Sequence, residues 1–269
     1  MTSTNKKATV FFLLLAFVCL GLQLQAVAAP KPEFYQLKIY HLNNQKQEDR
    51  LDAFLKEAYL PALHRAGIAK VGVFKPAEEL AEKTTTPAKK LVYVFIPFRS
   101  SEQMFQLDSK LQKDKQFQSA GKDYLEAAHN NPVYDRMEVI MMEAFAGKPA
   151  FSMPNLKSNA ADRVYELRSY EAATEKLHQN KIDMFNNGEM AIFDRLGFNA
   201  VFYGQVKAGS KMPNLLYMTT FENKAARDEK WKAFGEDPTW KKLSAMSEYA
   251  NNFLRADIYL LRPTSYSDI

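Results

Sequence analysis

The chain has 269 residues, a hydrophobic fraction of 46% and an aromatic fraction of 13%, enough to bury a core as one large domain or two small ones. Charged residues make up 25% and are interspersed, which excludes a disordered composition; 36 Lys and Arg against 31 Asp and Glu give a net charge of +5. No Lys/Arg block is dense enough to follow a phosphate backbone, so no nucleic-acid partner is expected.

Lys6 and Lys7 precede an apolar run of 13 residues, Val10 to Leu22, and Ala26, Val27 and Ala28 then supply the small residues that a signal peptidase accepts. Residues 1–28 read as a signal peptide, cut between Ala28 and Ala29, because Pro30 is a poor first mature residue. The run is short for a bilayer span, and an uncleaved anchor is the rival reading. A periplasmic or extracellular protein is expected, with no membrane contact after cleavage. Cleavage removes two lysines and leaves 34 basic against 31 acidic residues, a charge of +3. It also removes the single cysteine, Cys19, so no disulfide, thiolate nucleophile or Cys-based metal site is expected. Such a chain must hold together by burial alone.

The first module, residues 29–146, starts with a strand near Phe34–Tyr40, where Tyr35, Leu37 and Ile39 alternate with Gln36 and Lys38. A helix is expected over Gln45–Arg65, with Leu51, Phe54, Leu55, Ala58 and Leu63 on one face and Gly67 ending it. Pro61 lies inside that run and predicts a bend at Tyr59–Leu60. A strand near Lys70–Lys75, a polar loop from Pro76 to Lys90 with three threonines, and a strong strand over Leu91–Phe98 follow. Two helical stretches, Ser101–Leu111 behind a serine cap and Lys115–Ala128, precede a last strand over Tyr134–Met142.

Residues 147–161, rich in Pro, Ser and Asn, join this to a second module, residues 162–269. Its strands are expected at Arg163–Tyr170, Ala200–Val206, Asn214–Phe221 and Arg255–Leu261. Its helices are expected at Ala173–Leu196, Lys224–Phe234 and Pro238–Phe253. The order repeats because the sequence does: Tyr35, Leu37, Tyr40, Arg65 and Gly67 recur 130 positions on as Tyr165, Leu167, Tyr170, Arg195 and Gly197. Later elements correspond at smaller offsets. Leu91-Val92-Tyr93 matches Leu215-Leu216-Tyr217 at 124, Asp114 and Phe117 match Asp237 and Trp240 at 123, and Arg136 and Glu138 match Arg255 and Asp257 at 119. Each module is strand-helix-strand-strand-helices-strand, the ferredoxin-like order, with a four-stranded antiparallel sheet and helices on one face. The other face needs a cover. The fold class is therefore α+β, two tandem ferredoxin-like modules whose sheets cover one another within one chain.

The segments Tyr35–Tyr40 (YQLKIY), Val164–Tyr170 (VYELRSY), Asp194-Arg195-Leu196-Gly197-Phe198 and Leu215–Asn223 (LLYMTTFEN), with a tryptophan after Asp237-Pro238, resemble the NIPSNAP family. The second module carries the fuller match, from Val164 to about Pro263, and the first a looser one. The resemblance implies a dimeric α+β barrel of ferredoxin-like modules, close to that of small antibiotic-biosynthesis-type monooxygenases. It implies no agreed activity. Better-known members are mitochondrial proteins implicated in vesicle traffic and mitophagy signalling, a role an exported chain does not inherit.

The four histidines, His41, His64, His129 and His178, are in no metal-ligand spacing, and no metal or cofactor is expected. His64 is a candidate base if it faces a cleft, against an ordinary half-buried imidazole. Glu166 with Arg168, and the pairs Arg136/Glu138 and Arg255/Asp257, share strand faces and read chiefly as ion-pair ladders, with a polar ligand site as the sharper alternative. Tyr40, Tyr93, Tyr170, Tyr203 and Tyr217 fall on strands. A tyrosine-lined cleft suits a flat aromatic or quinone-like ligand, although strand aromatics serve equally as core. Trp231, Phe234, Trp240 and Phe253 read as helix-to-sheet packing. Three functions follow: a protein of unassigned activity that binds a small ligand or partner, with Tyr40, Arg168, Tyr170 and Tyr203 as ligand candidates; a cofactor-independent monooxygenase- or isomerase-like enzyme acting on an aromatic substrate, with His64, Tyr93 and Tyr217 as catalytic candidates; or a structural assembly module. A homo-oligomer is compatible with each.

Overall fold

The computed structural model describes residues 30–80 and 90–269. The signal-peptide pattern, and the threonines of the polar loop, lie outside these residues. The strands are β1 Phe34–Leu42, β2 Gly72–Pro76, β3 Lys90–Phe98, β4 Arg136–Ala144, β5 Val164–Glu171, β6 Phe202–Ala208, β7 Asn214–Phe221 and β8 Arg255–Pro263. All pairings are antiparallel, and the strands close into one barrel in the order β1-β3-β2-β8-β5-β7-β6-β4. Each half is the ferredoxin-like sheet expected, β4-β1-β3-β2 and its copy β8-β5-β7-β6.

The halves join edge to edge. β2 meets β8 through Phe74↔Pro263, Lys75↔Arg262 and Pro76↔Leu261, and β4 meets β6 through Met142↔Val206, Glu143↔Gln205 and Ala144↔Gly204. Every strand edge is then paired, which removes the exposed ladders of an isolated four-stranded sheet. At the second seam an added Cβ on Gly204 would stand 2.9 Å from Met142 Sδ, so the close approach of β6 to β4 requires glycine there.

Alternation along β1 explains the two-sided core. Tyr35 and Leu37 point into the barrel with Phe95, Tyr165, Phe202 and Leu261, where Phe95 and Phe202 stack at 4.5 Å. Tyr40 points outward, under helices. β3 and β7 are buried on both faces from Val92 and Asn214 to their ends, and so read as unbroken apolar runs.

The helices are α1 Gln45–Phe54, α2 Leu60–Arg65, α3 Ser101–Lys113, α4 Lys115–Ala120, α5 Lys122–Leu125, α6 Glu175–Met184, α7 Met190–Leu196, α8 Lys224–Glu236 and α9 Pro238–Ser244. The bend expected from Pro61 is a π-helical turn, Leu55–Tyr59, joining α1 to α2. Pro61 is not its cause. The same turn, Phe185–Glu189, joins α6 to α7 in the second half, where Ala191 stands in place of the proline. Pro61 sits in the first turn of α2, where its missing N–H costs little. The helix expected over Lys115–Ala128 is broken at Gly121, and the one expected over Pro238–Phe253 ends at Ser244.

Helix starts are duplicated too. Asn44 and Thr174 cap α1 and α6, Ser100 and Asn223 cap α3 and α8, and Asp114 and Asp237 cap α4 and α9. Gly67 (φ 87°) and Gly197 (φ 72°) end α2 and α7 in the left-handed conformation. The recurrent arginine beside each glycine holds the recurrent aspartate cap: Arg65 reaches Asp114 at 2.7 Å and Arg195 reaches Asp237 at 2.8 Å. These repeated residues lock helix to helix.

One repeat equivalence fails. Arg168 pairs with Tyr217, and its counterpart Lys38 pairs with Val94, so Tyr217 corresponds to Val94 at an offset of 123. Tyr93 corresponds to Leu216 and points into the barrel. A shift of one residue in a strand turns a side chain to the opposite face.

Candidate functional site

Each half has a cleft between the outer face of its sheet and its helices. The repeat makes the two comparable residue by residue, and they differ in content. In the first half, Lys38 and Tyr40 come from β1, Phe54 and Tyr59 from α1 and its π-turn, Asp108, Leu111 and Gln112 from α3, and Phe117 and Tyr124 from α4 and α5. Together they line a cavity of about 240 Å³. The π-turn decides the geometry. The wider turn re-aims the side chains after Phe54, a device common at functional positions.

The aromatic wall is continuous. Phe54 stacks on Tyr124 at 3.7 Å and 6° and on Tyr59 at 5.6 Å and 17°. The Tyr124 hydroxyl donates to the Tyr40 hydroxyl at 3.4 Å. Two of the cleft's polar groups bear on a ligand. The Tyr59 hydroxyl is buried without a hydrogen-bond partner. Lys38 Nζ lies 5.0 Å from the centroid of the Tyr59 ring and, among the described residues, makes no ion pair or hydrogen bond. Burial pushes the Lys38 amine below the usual lysine range, against the weaker pull of Asp108. Burial pushes the Tyr40, Tyr59 and Tyr124 hydroxyls up, so all three stay protonated at neutral pH. The cleft thus carries an amine, and in its wall a buried hydroxyl donor, among aromatic rings. A buried donor left unmatched costs about 1–3 kcal/mol, which a ligand oxygen would recover.

In the second half the same positions are paired and filled. Arg168 replaces Lys38, Glu189 replaces Tyr59, Lys181 replaces Leu51 and Trp231 replaces Asp108. Trp231 lies over the Arg168 guanidinium, 3.5 Å from it to the ring centroid. Fully buried Glu166 accepts from Arg168 Nε at 2.6 Å, Arg227 Nε at 2.7 Å and Trp231 Nε1 at 2.8 Å. Burial alone would raise its pKa, but Arg227, Arg168 and Trp231 outweigh burial and hold the carboxyl below its usual range. Arg168 Nη1 donates to the Tyr170 hydroxyl at 3.1 Å, which bonds the Tyr217 hydroxyl at 2.9 Å. Lys181 Nζ meets Glu189 Oε2 at 2.7 Å, both buried, with the ammonium beside the rings of Phe185, Tyr170, Trp240 and Phe253. Phe253 is half exposed and stacks on Tyr170 at 5.2 Å.

The candidates taken from the sequence scatter. His64 lies at the surface on α2, and its Nε2 is 2.8 Å from Asp268 Oδ2, so it fastens the C-terminal tail. Tyr93 lies inside the barrel, 6.0 Å from Tyr259. Tyr217 lies under the helices of the second half. These three share no cleft. Arg168, Tyr170 and Tyr217 do come together, with Tyr203 stacked on Tyr217 at 5.7 Å, in the filled cleft. Tyr40 alone lines the open one. The acidic pairs divide: Glu166 anchors Arg168 and Arg227, while Glu138 takes His41 at 2.6 Å and Ser210 at 3.0 Å, and Asp257 takes Lys211, on the barrel-facing side of β4 and β8. Lys38, Tyr59, Asp108 and Tyr124 were not singled out in the sequence. The signal was there for Lys38, as the repeat counterpart of Arg168 on a strand face that helices must cover.

The NIPSNAP family model matches residues 165–268. Among solved structures, a candidate monooxygenase from Lactobacillus acidophilus is 12% identical and covers 87% of this chain and 94% of that chain with a TM-score of 0.57. A candidate monooxygenase from Fusobacterium nucleatum is 5% identical and covers 87% and 93% with a TM-score of 0.56. A NIPSNAP family protein from Agrobacterium tumefaciens is 18% identical over 39% of this chain and 96% of that chain, with a TM-score of 0.36. No curated protein matches the sequence. The two structures that span both halves share the barrel architecture, a likeness of fold alone at these identities. What the family model matches is the second module, residues 165–268, and the likeness to the NIPSNAP family is that of this module.

Proposed function

We propose that this protein is an exported ligand-binding member of the family, and that its first helix–sheet cleft takes a small, flat aromatic ligand carrying an oxygen acceptor. The observation that carries this reading is an aromatic-walled cavity lined by Lys38, whose amine makes no ion pair or hydrogen bond among the described residues, and by Tyr59, whose buried hydroxyl is unmatched. The equivalent ground in the other half is occupied by Trp231 and fully paired charges. A volume of about 240 Å³ suits one or two fused rings. Export rests on Lys6, Lys7, the apolar run and Ala26-Val27-Ala28. No helix among the described residues is long and apolar enough to cross a membrane. The enzyme reading is not favoured, because His64, Tyr93 and Tyr217 face three different environments.

Titration of the full chain with 4-hydroxybenzoate, followed by ligand-observed NMR, tests the reading. Binding should weaken about fivefold or more in Tyr59→Phe and in Lys38→Met, the loss expected when one hydrogen bond of about 1 kcal/mol goes. Binding unchanged in both variants would remove the cleft from consideration. Amino-terminal sequencing of the protein from its host should begin at Ala29; a start at Met1 would contradict cleavage.

A further inference from the structure

We infer that Lys38 is a covalent capture site: its Nζ condenses with the carbonyl carbon of a small aromatic aldehyde or ketone held in the first cleft and forms an imine. The inference rests on the proposed use of that cleft and adds the chemical class of its ligand.

Three features of the cleft carry it. Lys38 projects from the middle of β1, a strand paired on both sides with β3 and β4, so its backbone is fixed. Its amine borders the cavity without a carboxylate in ion-pair range among the described residues, so only the longer-range pull of Asp108 and Tyr134 favours the ammonium. Burial outweighs that pull. The Tyr59 ring lies 5.0 Å from the amine, and its buried hydroxyl has no partner and keeps its proton, so it is available to donate to a carbonyl oxygen. The other half shares the fixed strand but lacks the unpaired amine and the hydroxyl, since Arg168 is always charged, is held by Glu166 and is covered by Trp231, and Glu189 stands in place of Tyr59.

The step balances without a redox partner. The Nζ lone pair attacks the carbonyl carbon, and the C=O π pair moves to oxygen, which takes the Tyr59 proton. Nζ returns a proton to Tyr59, giving the neutral carbinolamine. The C–O bond then breaks as the nitrogen pair forms C=N. The second Nζ proton leaves with the departing oxygen, and one water is released.

The full chain would be incubated with 4-hydroxybenzaldehyde, reduced with sodium cyanoborohydride and mapped by peptide mass spectrometry. Lys38 should be labelled at least about tenfold faster than any other lysine, as expected of a desolvated amine. Excess 4-hydroxybenzoate should protect it, and Asp108→Trp should slow it to the rate of surface lysines. Lys38→Arg, which has no amine able to condense, should lose the fast label. Labelling of Lys38 at the rate of surface lysines, or fast labelling that excess 4-hydroxybenzoate does not slow, overturns the inference. If 4-hydroxybenzoate binds in the cleft while Lys38 stays unlabelled, the covalent step falls and the binding reading stands. If neither occurs, both fall. The protection experiment needs no variant, so a misfolded Asp108→Trp leaves the test intact.

Discussion

Asp108 and Trp231 occupy the same position in the two halves, 123 residues apart on α3 and α8, and each stands beside the cation of its own cleft. The tryptophan covers Arg168 with its ring. The aspartate lines an opening beside Lys38. Gene doubling gave two equivalent clefts, and this pair of residues marks which one is filled.

Asp108→Trp should therefore close the first cleft. Ligand-observed NMR should show at least tenfold weaker binding of 4-hydroxybenzoate, a loss of about 1.4 kcal/mol or more. Asp108 is exposed, so the thermal midpoint should move by only a few degrees. Full binding by a folded Asp108→Trp would show that the ligand sits elsewhere.

Glu166 should be a stability residue. Glu166→Gln leaves Arg168 and Arg227 without their buried counter-charge, and urea unfolding should show a loss of about 3–5 kcal/mol. The native pKa of Glu166 is depressed below its ordinary value of 4.5. Its contribution is therefore complete above about pH 4.5 and fades as pH falls through the lower native value. Wild-type stability should drop on acidification below about pH 4.5, and Glu166→Gln should flatten that part of the profile. An identical acid slope in the variant would contradict the assignment.

Lys181 and Glu189 make the opposite case. Burial raises the Glu189 pKa despite Lys181, so ionising this carboxyl costs the native state more than the unfolded one. That penalty grows as pH rises from 4.5 through the native value, the reverse of Glu166. The first half carries Leu51 and Tyr59 at these positions. Lys181→Leu alone should cost about 3–5 kcal/mol, whereas Lys181→Leu with Glu189→Tyr should recover most of it. A double variant no more stable than the single would show that the pair itself holds the second half together.

Much of this architecture is legible in the chain. Tyr35, Leu37, Arg65 and Gly67 with their copies set the two modules, because barrel-facing residues and helix ends are constrained by geometry and recur at fixed offsets. What failed was register. Matching Leu-Val-Tyr to Leu-Leu-Tyr puts Tyr93 on the face of Tyr217, while the ladder places Val94 there. The candidate site was hidden for a related reason. Lys38 alternates with Tyr35, Leu37 and Ile39 as a solvent-facing residue would, and only the helices laid over that face bury it. The similar backbone turn at Leu55–Tyr59 and Phe185–Glu189 was equally invisible, since Pro61 suggested a local cause that the second half lacks.

His64 offers a check on what the sequence suggested and the fold places elsewhere. Its side chain is 40% exposed and, among the described residues, is hydrogen-bonded only to Asp268. His64→Ala should cost less than about 1 kcal/mol in urea unfolding and leave 4-hydroxybenzoate binding unchanged. A large fall in affinity without a fall in stability would return His64 to the functional residues.

The most direct test of the account is a crystal structure of the full chain soaked with 4-hydroxybenzoate. The ring is expected against Phe54 and Tyr124 in the first cleft, with an oxygen in hydrogen-bond reach of Lys38 Nζ and the Tyr59 hydroxyl. Density for the ligand at the barrel-facing His41–Glu138 cluster or in the second half, with the first cleft empty, would contradict it.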